Sequence, residues 1–281
     1  MKDSAKGIIV FLLVTFGLAW SVWEVPLWLG VPATSTLMRL LVIPGAFAPA
    51  VAAVVVRRWV TCEGFADAGL EPHPRNWRFY VAAWLVPLAA VAFVAWAAPF
   101  FGLADPQIAK TLALGSPIGV RVEKWELLAR AVFGLTLIAA ISTPILWGEE
   151  FGWRSYLQLR LFPNRPLLAA VSTGLIWGVW HYPLLFSVPE IPQHAIAMLA
   201  IFPAGTVLYS ILFGWLRIRS NSIWPSSFAH SCINNIRSPL ISMLFASAPD
   251  KLPFALLGLL PMLVFVGAVV LAGGLKARTA Q

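Results

Sequence analysis

Long apolar stretches broken by short polar ones dominate the chain. A span of the hydrocarbon core needs about 20 consecutive apolar residues as helix. The pattern predicts eight such spans, at about 7–23, 35–56, 79–100, 130–147, 167–186, 194–216, 223–245 and 253–275. The fourth continues as helix through Leu161, where Pro163 ends it. The second carries Pro44 and Pro49, which should bend it. The seventh is the most polar of the set. Two polar linkers stand out. Residues 61–78 form the first, and residues 102–127 form the longest stretch outside the spans, with room for a short interfacial helix. The expected fold class is therefore all-α, a polytopic membrane helix bundle.

Composition agrees. Of 281 residues, 59% are hydrophobic and 11% charged, with a mean hydropathy of +0.81. Soluble domains carry about a quarter charged residues. The expectation is an integral, multi-pass membrane protein, in the plasma membrane if the source is prokaryotic. It is one membrane domain over 1–281: N-terminal spans and loops in 1–128, a core carrying the chemistry in 129–246, and a last span and tail in 247–281. The net charge of +8 does not point to nucleic acid, because basic residues in such a chain report topology. With both termini cytoplasmic, thirteen Lys and Arg lie inside and six outside, Arg237 being counted with neither. Cys62 and Cys232 are too far apart to form a CxxC pair. The run from Gly7 to Trp23 after Lys2 and Lys6 imitates a signal peptide but lacks a small-residue cleavage site, and reads as the first span.

Three polar groupings interrupt the apolar helices. The first is Gly148-Glu149-Glu150-Phe151-Gly152-Trp153-Arg154. A charge at membrane depth costs about 2.5–3.5 kcal/mol on insertion scales, and here three fall within six positions. Spacing i, i+4 pairs Glu150 with Arg154. Glu149 points about 100° away and stays available for other work. The second is His181, one turn after Trp177 in Trp177-Gly178-Val179-Trp180-His181-Tyr182-Pro183. The third is His230 and Asn234, at i, i+4 after Ser226 and Ser227. Charges where a helix leaves the bilayer, or interhelical hydrogen bonds, account for any one of these alone. Two carboxylates, an arginine, two histidines and an asparagine together can run hydrolysis. Glu149 would be the better base, since Arg154 keeps its partner Glu150 ionised. His230 and Asn234 can donate to a developing oxyanion. Arg237, two turns past His230, could hold a substrate carboxylate.

Glu-Glu-x-x-x-Arg, then aromatic-x-x-x-His, then His-x-x-x-Asn, in that order on successive spans, resembles the CAAX-protease and bacteriocin-processing (CPBP, or Abi) family of intramembrane endopeptidases. One departure is Trp177, where that family commonly has phenylalanine. The resemblance implies Glu149 as the water-activating base with His181, Glu150 and Arg154 as supports, and His230 and Asn234 as the oxyanion hole. The expected partners are the lipid bilayer and a membrane-associated protein or peptide substrate, either a lipidated C-terminus or a small hydrophobic peptide. No cofactor is expected. Zinc stays open as a runner-up, because two histidines and a glutamate on separate helices can ligate it, although no zincin motif is present. Two other functions also stay open: a non-proteolytic scaffold or bacteriocin-immunity protein of the same fold, and a proton-coupled transporter using the two glutamates.

Overall fold

A computed structural model describes residues 2–107, 123–187, 194–248, 250 and 252–275. Most of the 102–127 linker with its expected interfacial helix, residues 188–193 of the loop before span six, and the basic tail lie outside the described residues. Among the described residues 81% are helical and there are no strands. The helices are α1 (Lys2–Trp28), α2 (Thr36–Ala46), α3 (Ala48–Val55), α4 (Trp77–Phe100), α5 (Lys124–Gly152), α6 (Gln158–Arg160), α7 (Pro166–Trp180), α8 (Tyr182–Phe186), α9 (Ala195–Ser220), α10 (Trp224–Cys232), α11 (Ser238–Leu244), α12 (Leu252–Leu257) and α13 (Leu260–Leu271). Single π-helical turns extend α3 (Val56–Val60), join α5 to α6 (Trp153–Leu157) and join α10 to α11 (Ile233–Arg237).

Among the described residues six helices are long and apolar enough to cross a membrane, including Lys124–Arg160 and Leu252–Leu271. The chain is thus an integral, multi-pass helical membrane protein. Two of the eight expected spans fall outside those six, for different reasons. The fifth breaks: α7 ends at Trp180, and Pro183 stands at the start of α8. A proline has no N–H to return to the carbonyl four residues back, which weakens the helix at that turn, although α4, α5 and α9 run through prolines of their own. The seventh stays helical from Trp224 to Leu244 through its π turn, but its serines, asparagines, His230 and Arg237 lower its hydropathy. The expected bend in span two falls at Phe47, between α2 and α3, with Pro49 in the first turn of α3. Lipid-facing positions are apolar, as at Leu13, Ile141 and Leu271. In a bilayer such surface needs no cover.

The chain divides into two compact units. The first comprises Met1–Pro74, Pro144–Ser227 and Val269–Gln281. Hydrocarbon gives helices no hydrophobic drive to associate, so close backbone approach and polar bonds do that work. Here α7 meets α9 through glycines. A Cβ on Gly178 would lie 2.7 Å from Pro203 Cα, and one on Gly174 2.6 Å from Val207 Cα. Thr206 Oγ1 donates to the Gly174 carbonyl at 2.9 Å and Ser210 Oγ to that of Ala170 at 2.7 Å. The end of α5 meets α3 likewise: a Cβ on Gly152 would sit 2.5 Å from the Pro49 carbonyl carbon. Phe11 of α1 packs on Trp153 and Tyr156.

The 61–78 linker is tied down by buried arginines. Arg57, fully buried, donates to the Gly64 carbonyl (2.6 Å), Asp67 Oδ1 (2.7 Å) and the Ser155 carbonyl (2.7 Å). Arg217 donates to the Asp67 carbonyl at 2.5 Å and to Ser155 Oγ at 3.3 Å. Arg160 pairs with Glu63 at 2.6 Å. Two residues counted as topology charges, Arg57 and Arg217, thus clamp the linker onto the π turn that follows the glutamates. Burial pushes the Asp67 carboxyl up, but the hydrogen bond and charge of Arg57 and the charge of Arg160 outweigh it and hold the pKa below its ordinary 3.8. A lowered carboxylate pKa contributes stability that is present above the unfolded value and lost as pH falls through the folded one. Asp67→Asn is therefore expected to lower the unfolding temperature in detergent at pH 7. Its gap from wild type should close as the buffer is taken below pH 3.8. A gap that stays constant with pH would remove the charge from the account.

The second unit comprises Arg75–Thr143 and Phe228–Ala268. Its core joins Val91, Val94 and Ala98 of α4 and Ala139 of α5 to Cys232, Ile236, Leu240 and Leu244, with Phe254 of α12. Phe245 and Phe254 stack at 4.4 Å. Trp84 Nε1 donates to Thr136 Oγ1 at 3.0 Å, crossing from α4 to α5. Arg237 is buried, and its Nη2 donates to the Ala255 carbonyl at 3.2 Å. That bond tethers Arg237 to α12.

Candidate active site

The first motif closes α5. Gly148 and Gly152 flank the glutamates on a face pressed against Phe47 and Pro49, so the acids emerge where two helices touch. Glu150 and Arg154 are both fully buried, with Nε to Oε2 at 3.2 Å. That distance makes an ion pair, while the angle falls outside hydrogen-bond geometry. Arg154 Nη1 and Nη2 find no hydrogen-bond partner among the described residues. The guanidinium lies instead over Trp177 (4.7 Å from the centroid) and Phe213 (5.3 Å). Aromatic faces attract a desolvated guanidinium, at about 2 kcal/mol each.

Glu149 points elsewhere, as the 100° step predicts. It is 5% exposed, and its Oε2 accepts from Trp177 Nε1 at 2.8 Å. His181 Nε2 lies 3.9 Å from that same oxygen. The histidine stands at the break between α7 and α8, with the Trp177, Trp180 and Phe202 rings around it. Its Nδ1 is 2.9 Å from the Trp177 carbonyl. A carbonyl only accepts, so Nδ1 carries the proton there, and in the neutral ring Nε2 is an acceptor turned toward Glu149. The histidine follows Trp177 by one turn, and both side chains approach the same carboxylate oxygen.

The structure therefore brings four of the six candidate residues together in the first unit: Glu149, Glu150, Arg154 and His181. His230 and Asn234 stand in the second unit, on α10 and on the π turn after it. His230 is buried and Asn234 exposed. Beside them Ser231 Oγ donates to the Ala139 carbonyl at 2.6 Å, and Asn235 Nδ2 to the Ser231 carbonyl at 3.0 Å. The Ser231 bond joins α10 to α5 within that unit, whereas the Asn235 bond stays within its own helix. For a metal, Glu149 and His181 offer two donors, whereas zinc sites take three or four protein ligands. Among the described residues no three His, Cys, Asp or Glu gather.

Sequence reasoning missed two groups here. It saw Trp177 as packing for His181 but not as the donor to Glu149. It also passed over the Gly-x-x-x-Gly spacings at 148/152 and 174/178, a readable signal of close helix contact.

A buried carboxylate 3.9 Å from a histidine in a multi-pass membrane protein supplies two groups that hydrolysis can use. Comparison with known proteins narrows the class. Residues 125–236 match the family model described as Rce1-like, type II CAAX prenyl endopeptidase Rce1-like. All three motifs lie within that stretch, and the match supports the CPBP (CAAX protease) family for this chain. The family is one of membrane proteases. No curated protein sequence matches the chain.

Proposed function

We propose that the chain is an intramembrane endopeptidase that hydrolyses a peptide bond with water activated by Glu149 and His181. The observation that carries this reading is the 3.9 Å approach of His181 Nε2 to Glu149 Oε2, with 19% and 7% of the two side chains exposed. A water hydrogen-bonded to both at about 2.8 Å subtends roughly 90° at its oxygen, near the natural angle of its two O–H bonds. It donates one hydrogen to each acceptor and keeps its lone pairs for the substrate. Glu149 takes the proton as the oxygen attacks the scissile carbonyl carbon. The tetrahedral intermediate collapses when Glu149 returns that proton to the leaving amine nitrogen and the C–N bond breaks. Glu150 and Arg154 hold the end of α5 in register. The role that the family resemblance gives His230 and Asn234, donating to the oxyanion, belongs to the same proposal and rests on the motif alone.

An apolar substrate suits the surroundings. An open groove of about 1180 Å³ runs along α1 past α7 and α8, with Phe16, Trp20, Val179, Tyr182 and Phe186 on its walls. Val179 and Tyr182 flank His181 in sequence. A lipidated C-terminus or a small hydrophobic peptide fits such a wall.

The test is cleavage of a membrane-anchored fluorogenic peptide by purified protein in detergent, with and without a strong chelator, for wild type and His181→Ala. Expected are full activity under chelation and a loss of about 100-fold or more in the variant. Inhibition by the chelator would replace carboxylate-activated water with zinc chemistry. Undiminished cleavage by His181→Ala would end the proposed mechanism.

A further inference from the structure

We infer that Trp177 is a positioning residue of the reaction, whose indole N–H fixes the orientation of the Glu149 carboxylate. The inference rests on the hydrolytic reading above. Three contacts converge on this one side chain and its backbone. Nε1–H donates to Glu149 Oε2 at 2.8 Å. The ring face carries the Arg154 guanidinium at 4.7 Å. The backbone carbonyl accepts from His181 Nδ1 at 2.9 Å. Trp177 therefore touches the base, the histidine and the ion pair of the neighbouring carboxylate.

The geometry gives each contact a task. An indole is a donor only, so it can hold a carboxylate oxygen but cannot exchange a proton with it. With Trp177 and Glu149 at 3% and 5% exposure, the bond is dry, and a charge-assisted bond is strongest in such surroundings. Oε2 uses one lone pair for the indole and keeps the other on the side of His181. Without the N–H, rotation about the last side-chain bond of Glu149 is no longer fixed by this donor. Misplacement of a reacting group by about 1 Å costs up to 10²-fold in rate. Nothing in these contacts places the indole on the substrate, so the effect should fall on turnover and not on binding.

Trp177→Phe keeps an aromatic face for Arg154 and His181 and deletes the N–H. Two measurements test the inference. In protein labelled with ¹⁵N-tryptophan in detergent, the indole resonance missing from Trp177→Phe identifies Trp177. That resonance should lie downfield and move upfield in Glu149→Ala. In the reporter assay, with rates normalised to the folded fraction from size exclusion, Trp177→Phe should lose about 10- to 100-fold in kcat with KM within twofold. An indole resonance that stays put in Glu149→Ala overturns the bond. A normalised kcat equal to wild type overturns the positioning role, and so does a loss confined to KM. Failure of wild type to cleave any anchored peptide brings down the hydrolytic reading and with it the role in turnover, while the resonance still decides the bond.

Discussion

Glu149→Gln lowers cleavage by a factor of about 10²–10⁴, the usual contribution of a positioned general base, and leaves the protein folded. The substitution is close to isosteric. Its amide oxygen still accepts the Trp177 N–H. What it cannot do is take a proton from water. Glu150→Gln is the control on the adjacent position. It keeps the volume, weakens the pair with Arg154, and should cost stability before it costs chemistry. Initial rates and thermal unfolding measured on the same preparations separate the two effects. Retained cleavage by Glu149→Gln beside an inert but folded Glu150→Gln would exchange the roles of the two acids.

Arg154→Ala should be the most destabilising single change in the site, by about 3–5 kcal/mol. Both members of the pair are fully buried. Deleting the cation removes the ion-pair partner of a fully buried carboxylate, which costs more than the pair itself contributes. Thermal unfolding in detergent reads the loss. The double variant Glu150→Met, Arg154→Met should recover most of it, because apolar residues of similar volume replace a buried pair at little cost. Arg154→Lys should behave more like alanine than like arginine. An ammonium is a compact, strongly hydrated charge and cannot lie flat between the Trp177 and Phe213 rings. Wild-type stability in Arg154→Ala would mean that water reaches Glu150.

Much of this site was legible from spacing. The step of about 100° between adjacent helical residues separated Glu149 from Glu150, and i, i+4 paired Glu150 with Arg154. Both arrangements depend only on one helix being regular. What could not be read came from elsewhere in the chain. The donor to Glu149 lies 28 residues away. The partners of Arg57 and Arg217 arrive only when the 61–78 linker folds onto the π turn, so both looked like interfacial charges. Pro183 marked a visible weak point after His181, but the approach of the imidazole to Glu149 on α5 belongs to tertiary structure. The Gly-x-x-x-Gly spacings and Trp177 as a donor were in plain view and carried no weight until α3 and α9 were seen against them.

The first helix also has a long wait. Trp20 Nε1 donates to the Trp180 carbonyl at 3.0 Å, across 160 residues of sequence, and Trp180 backs the histidine. At about 5–20 residues per second of synthesis, the acceptor reaches the bilayer roughly 8–32 s after its donor. Arg154 likewise enters the membrane before either of the rings that hold it. At the same rate Glu149 precedes Trp177, its donor 28 residues on, by roughly 1.4–5.6 s. A nascent chain carries the acids without the assembled site, and the proposed protease is inert until most of its helices are in the membrane.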